Sequence, residues 1–169
     1  ILNKMILEII HRGPDDQRTW IDQNDGIGMS HARLSILDLS NNGSQPFSSK
    51  CGRYKLVFNG EIYNHNDLRN ELKTKDNSIE WKGTSDTETL MESFCEWGFE
   101  NCLKKLNGMF ALALWDSFEK RLFLARDRMG EKPLYFGKNN DVFLFGSELK
   151  SLKAHPCTNF EICHDALAL

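Results

Sequence analysis

Apolar residues recur along this chain in two rhythms. Near the start, Leu2, Met5, Ile6, Ile9 and Ile10 follow the i, i+3, i+4, i+7, i+8 spacing of one helix face, and Gly13-Pro14 stops it. Ile27 and Met29, then Leu34 and Ile36, alternate with polar or small residues, which predicts strands. Residues 43–49 read as loop. Residues 54–58 read as a short buried strand running into Asn59-Gly60, and Leu68 and Leu72 predict a short helix. Ser85-Asp86-Thr87-Glu88 reads as a capping box, with Ser85 as N-cap and Glu88 reaching back. Leu90, Met91, Phe94 and Trp97 then share one helix face, and Gly98 ends it. Phe99, Cys102, Leu103 and Leu106 mark another helix, ending at Asn107-Gly108. Beyond it the rhythm changes. Residues 109–115, 121–126, 134–137 and 142–145 read as strands with short polar connections, which favours antiparallel pairing. Residues 109–115 and 122–125 are apolar on both faces, so helices or a second sheet must cover them. Ser147 is placed to cap a short helical stretch before Pro156. No repeat or low-complexity tract interrupts this order, and the sum is an α+β layered domain.

Composition acts mainly by exclusion. Lys and Arg number 21 against 24 acids, a formal charge of −3, without the basic excess that phosphate-backbone binding uses. No nucleic-acid partner is expected. The longest apolar run, residues 109–115, is far short of a membrane span, so no membrane partner is expected either. Five cysteines (Cys51, Cys95, Cys102, Cys157 and Cys163) form no CxxC pair, which argues against a zinc site or a disulfide scaffold and for a reducing, cytoplasmic setting. The five histidines have no ligand spacing, so no metal site is expected. Ile1 is not an initiator residue and nothing before Leu2 could cap the first helix, so further chain is expected upstream.

Local chemistry alone gives plain explanations for the polar residues. Arg33 at a strand end suits a surface ion pair. Asn59-Gly60 after an apolar run suits a two-residue hairpin turn. Glu61 suits an exposed strand position, and Asp86 in a first helical turn is favoured by the helix dipole. Gly130 and Pro133 suggest a shaped turn around which Arg126, Asp127 and Lys132 pair structurally.

Taken in order, however, the polar motifs form a series. It runs through residues 11–16 (HRGPDD), 30–38 (SHARLSILD), 59–64 (NGEIYN), 84–88 (TSDTE), 108–111 (GMFA), 125–135 (ARDRMGEKPLY) and 147–150 (SELK). Seven such blocks in this order resemble the class II glutamine amidotransferase domain, of the type at the N-terminus of glutamine-hydrolysing asparagine synthetases. The resemblance implies an N-terminal-nucleophile hydrolase fold, a four-layer αββα sandwich of two antiparallel sheets between helices. It implies an amidotransferase domain over residues 1–153. Residues 154–169 would be a linker or the start of a synthetase domain.

The resemblance also implies a site and a chemistry. Arg33 would hold the α-carboxylate of L-glutamine, with Leu34, Ser35, Ile36 and Leu37 lining the same pocket. Asn59 and Gly60 would form the oxyanion hole, Glu61 would bind the substrate's amine or backbone, and Asp86 would pair with its α-ammonium. The family nucleophile is an N-terminal cysteine whose thiolate forms a thioester and releases ammonia. Ile1 cannot do that work, and Cys51-Gly52 lies inside the chain without a free amine. The chain as given is therefore expected not to hydrolyse glutamine unaided. The alternative is a non-catalytic glutamine-binding or assembly module. No cofactor is expected in this domain. ATP and magnesium would belong to the C-terminal synthetase domain, with aspartate the default ammonia acceptor and a homodimer among the options.

Overall fold

The computed structural model describes residues 1–35, 43–139 and 141–158. In chain order the elements are α1 (Leu2–Leu7), a 3-10 turn (Ile10–Arg12), β1 (Asp16–Asp22), β2 (Ile27–Arg33), β3 (Phe47–Ser48) and β4 (Tyr54–Ile62). There follow α2 (His65–Lys75), α3 (Asp86–Lys105), β5 (Gly108–Asp116), β6 (Arg121–Arg126), β7 (Tyr135–Asn139), β8 (Val142–Gly146) and α4 (Leu149–Lys153). The strands pair as a β1-β2 ribbon, a central sheet ordered β3-β4-β5-β6, and a β7-β8 ribbon. All the pairings are antiparallel, as the short links predict.

The β4–β5 ladder, in register from Tyr54↔Asp116 to Ile62↔Gly108, organises the layers. Side chains alternate across a strand. On one face Leu56, Phe58, Ile62, Phe110, Leu112 and Leu114 pack against Leu68 of α2 and Leu90, Met91 and Phe94 of α3. On the other, Val57, Ala113 and Trp115 meet Met29 of β2, with Trp20 of β1 and Phe145 of β8 alongside. The two ribbons thus cover the second face of the sheet. The outer helices back the ribbons. A side chain at Gly28 would meet Leu2 of α1, and one at Gly146 would meet Ser151 and Leu152 of α4. Helices, sheet, ribbons and helices follow one another, which is the expected αββα order.

Local expectations fare unevenly, for physical reasons. The first helix stops at Leu7, because Ile9 and Arg12 bond back three residues to Ile6 and Ile9 and tighten the chain into 3-10 geometry. β1 escapes an apolar reading because it is mostly half-exposed or exposed, with polar residues at most positions. Gly98 breaks α3 as predicted, at φ 72° and ψ 173°, and a second helical segment runs on to Lys105. Ser85 does cap α3, accepting from the Glu88 N–H at 3.3 Å. The Glu88 carboxylate reaches past the cap to the N–H groups of Lys82 and Gly83, at 2.8 and 3.0 Å. Ser147 does not cap α4. Glu148 holds that position, and its carboxylate is drawn to His11, Arg12 and Lys150 instead.

Candidate active site

The site grows from one edge of β4. Because β4 pairs with β5 through its odd-numbered residues, the backbone groups of its even-numbered residues face the opposite edge, where β3 reaches only Lys55 and Leu56. Beyond β3 side chains take over as partners. The Gln45 amide accepts from the Phe58 N–H at 2.6 Å and donates to the Phe58 carbonyl at 3.1 Å. Asp86 Oδ2 accepts from the Ile62 N–H at 3.0 Å. Gly60 lies between these two clamps, and its N–H turns toward the same edge.

Asn59-Gly60 is therefore not a hairpin turn. Both residues sit inside β4, opposite Ala111 and Phe110. Glycine is needed at 60 for close approach, since a Cβ there would lie 2.2 Å from the Met109 carbonyl oxygen. Asn59 points to the face opposite the helices. Its Nδ2 is buried and has no hydrogen-bond partner among the described residues. A buried donor with no partner among the described residues, beside the Gly60 N–H, is an arrangement suited to a developing oxyanion.

β2 supplies the facing wall. Its odd-numbered residues turn toward the central sheet: Met29 packs on Val57, and His31 Nε2 lies 3.1 Å from the Phe58 carbonyl oxygen. A carbonyl can only accept, so Nε2 carries the proton. Burial lowers the His31 pKa from 6.5 to about 4, the bond to Phe58 notwithstanding, and keeps the ring neutral near pH 7. Arg33 continues this face at the end of β2. Next to it Leu34 is exposed, and the Ser35 N–H is tied to Asp15 Oδ2 at 2.8 Å. Ile36 and Leu37 lie outside the described residues.

Asp86 closes the far side. It opens α3 and is buried, which raises its carboxyl above the usual range against the pull of the Ile62 and Thr87 N–H groups. A buried carboxylate of this kind gains from a cationic neighbour. Arg69 of α2 steadies the approach to it, donating to the Gly83 and Ser85 carbonyls and to Thr89 Oγ1 at 3.0, 2.9 and 2.7 Å.

Arg33, Leu34, Asn59, Gly60, Glu61 and Asp86 all line one hollow of about 760 Å³ between the ribbons and the central sheet. Ser35 does not line it. Sequence reasoning missed Gln45 and His31, which position the strand edge, and also Lys132, which lines the hollow. Gln45 carries no local signal, because its role exists only once β3 stops short. Lys132 arrives through the turn after β6. Asp127 there accepts from the Phe110, Glu131 and Lys132 N–H groups, which hold its pKa at about 2 in spite of desolvation. Arg126 donates to the Lys132 and Gly130 carbonyls. The structural role expected for Arg126 and Asp127 matches these contacts. Among the described residues no group of three or more His, Cys, Asp or Glu side chains could hold a metal ion, and no helix is long and apolar enough to cross a membrane.

This layered sandwich has a counterpart among solved structures. The solved structure of glutamine phosphoribosylpyrophosphate (PRPP) amidotransferase from B. subtilis, complexed with ADP and GMP, matches with a TM-score of 0.62. That match covers 75% of this chain and 29% of the other at 23% identity, and establishes the likeness of fold. A family model described as a glutamine amidotransferase domain matches residues 1–169, and the chain belongs to that family. It is 43% identical over 157 residues to Asparagine synthetase (glutamine-hydrolyzing) 3 of Bacillus subtilis (strain 168), covering 92% of this chain and 25% of that protein. It is 37% identical over 146 residues to Amidase chry2 of Gibberella zeae, covering 86% of this chain and 21% of that protein. The chain thus spans a quarter or less of the length of these relatives.

Proposed function

We propose that this domain binds L-glutamine in the hollow and supports its hydrolysis to glutamate and ammonia. Arg33 pairs with the α-carboxylate, for which a planar guanidinium is the best-matched side chain. Asp86, assisted by Glu61, takes the α-ammonium. Leu34 forms part of the adjoining wall. The side-chain amide then lies toward the β4 edge. As a sulfur nucleophile attacks its carbonyl carbon, the Asn59 Nδ2 and Gly60 N–H groups receive the oxygen that becomes negative. Ammonia leaves a thioester, and water releases glutamate. None of the described cysteines lines the hollow. In this reading the nucleophile is a cysteine from outside these 169 residues.

The observation that carries the reading is the common hollow, which gathers a cation, two carboxylates and two oxyanion donors from separate stretches of chain. The likeness to asparagine synthetases extends the proposal. The ammonia passes to a synthetase domain of the same protein in the cytoplasm, where ATP and magnesium activate an acceptor, aspartate being the favoured one.

The test uses the full-length protein. Arg33→Ala raises KM for glutamine roughly 10- to 100-fold, the worth of a charged hydrogen-bond pair. Asn59→Ala lowers kcat roughly 100- to 1,000-fold with KM little changed. An unchanged KM in Arg33→Ala overturns the assignment of the pocket.

A further inference from the structure

On the far side of the central sheet from the hollow, two cysteines lie on neighbouring elements and take no part in the chemistry above. We propose that Cys51 and Cys95 form a modification site, a dithiol that low-molecular-weight disulfides such as oxidised glutathione convert reversibly to an intramolecular disulfide.

The geometry rests on how the β3–β4 turn is seated. Residues 49–53 form that turn, and Lys50 pins it to α3. Its Nζ lies 3.6 Å from Glu92 Oε1 and donates to the Glu80 carbonyl at 2.7 Å. Cys95 follows Glu92 by three residues and so lies on the same face of α3. The other end of the turn is held by Arg53, whose Nη2 and Nε reach Asp116 Oδ2 at 2.6 and 2.9 Å. With both flanks anchored, Cys51 Sγ sits 3.3 Å from Ser49 Oγ, in a turn that the Lys50–Glu92 pair holds against the α3 face carrying Cys95. Both cysteines are solvent-exposed residues, so a small disulfide can approach.

The two thiols differ in a useful way. The Ser49 hydroxyl, the Arg53 N–H and Cys95 hold the Cys51 thiol below its ordinary value, the Ser49 contribution being largest, so Cys51 is the attacking group. Desolvation first, and the neighbouring Cys51 charge second, push Cys95 up to about 12, which keeps it protonated and quiet while Cys51 is free. In the first step the Cys51 thiolate attacks one sulfur of the small disulfide. The S–S bond breaks, and one small thiolate leaves and takes a proton from water. Capping removes the charge on Cys51 and with it one cause of the high Cys95 value. Cys95 then gives its proton to water and attacks Cys51 Sγ, expelling the second small thiolate. Two protein thiols and one small disulfide become one protein disulfide and two small thiols. The bridge ties α3, whose first residue is Asp86, to the start of β4, whose further end carries Asn59 and Gly60.

The test incubates the chain with oxidised glutathione, quenches it with an alkylating agent, and maps peptides without reduction. Cys157, exposed and outside this pair, serves as the internal comparison. The expected result is a linked peptide joining Cys51 to Cys95, with loss of both thiols, while Cys157 carries glutathione alone. Cys95→Ser leaves Cys51 as a stable glutathione adduct, and Cys51→Ser leaves Cys95 reduced. Dithiothreitol restores both thiols, and Tm is higher in the oxidised than in the reduced protein, a difference that both serine variants lack. Accumulation of a Cys51 adduct in the unsubstituted chain with no linked peptide overturns the proposal. So does a linked peptide that joins Cys51 to Cys157.

Discussion

On the face of the β4–β5 ladder that meets the helices, alternate residues are Leu56, Phe58, Ile62, Phe110, Leu112 and Leu114, all buried. On the face toward the ribbons, Val57, Asn59, Glu61, Ala111 and Ala113 occupy the middle of the ladder, with Met109 and Trp115 toward its ends. Backbone, register and strand length are shared, so the difference lies in side-chain volume. Large aliphatic and aromatic groups fill the helix face to core density. Small and polar ones leave a hollow of about 760 Å³, within the usual range for a small-molecule site. One ladder therefore carries a core on one side and a site on the other, and a substitution should act on stability or on binding according to its face.

The largest test of that division is Phe94→Ala. Phe94 is fully buried on the helix face and stacks on Phe99 at 5.5 Å between ring centroids. Its truncation should cost about 3–5 kcal/mol in urea unfolding, while the folded fraction keeps its KM for glutamine. A cost below about 1 kcal/mol would mean that the helix face is no better packed than the hollow.

His31 tests the opposite wall through pH. Its pKa is about 4 in the folded chain, against 6.5 for an exposed imidazole. Between those values the unfolded chain binds a proton that the folded chain refuses. Stability contributed by the neutral ring is thus complete above pH 6.5 and declines as pH falls toward 4, by at most about 3 kcal/mol. Asp86 works the other way near the acid end, because its raised pKa favours the folded state as protons are added. Asp127, held at about 2, loses its contribution only at lower pH. Comparing His31→Gln with the unsubstituted chain isolates the histidine. The variant should show a flatter dependence of urea midpoint on pH between about 4.5 and 6.5, and an unchanged slope would place the ring in contact with water.

What was legible beforehand follows from the same contrast. The apolar rhythm of residues 54–58 and 109–115 is enough to indicate buried strands, and the antiparallel layers follow from short links. The site was legible only as motif blocks, because Asn59, Gly60, Glu61 and Asp86 are each explained locally, by a turn, an exposed strand position or helix-end chemistry. Their convergence depends on pairs distant in sequence, such as Asp86 with the Ile62 N–H. Gln45 and His31 were illegible for a related reason. Both serve the backbone of Phe58, and nothing in composition or spacing shows which carbonyl needs a partner.

Gly60→Ala probes the boundary between the faces. The added methyl would meet the Met109 carbonyl oxygen at 2.2 Å, a backbone atom that cannot swing aside. A loss of about 1–3 kcal/mol is expected, together with loss of glutamine binding by calorimetry as the β4 edge is displaced. Gly137→Ala is the control, since a Cβ there meets nothing within 4 Å. Equal effects at the two positions would show that loss of glycine flexibility, not crowding at β4, sets the cost.

The smallest expected effect in stability sharpens the contrast most. Ser85→Ala removes the cap on the Glu88 N–H and should cost about 1 kcal/mol. That is a fraction of the Phe94→Ala cost on the same helix. Yet Ser85 immediately precedes Asp86, whose carboxylate is aimed by the first turn of α3 and by the Ile62 N–H. Fraying of that turn frees the carboxylate from its place in the hollow. KM for glutamine should therefore rise in Ser85→Ala although most of the stability remains, whereas Phe94→Ala loses stability and keeps KM. If Ser85→Ala leaves KM unchanged in the full-length protein, the Ile62 contact alone fixes Asp86, and the helix cap belongs to the core rather than to the site.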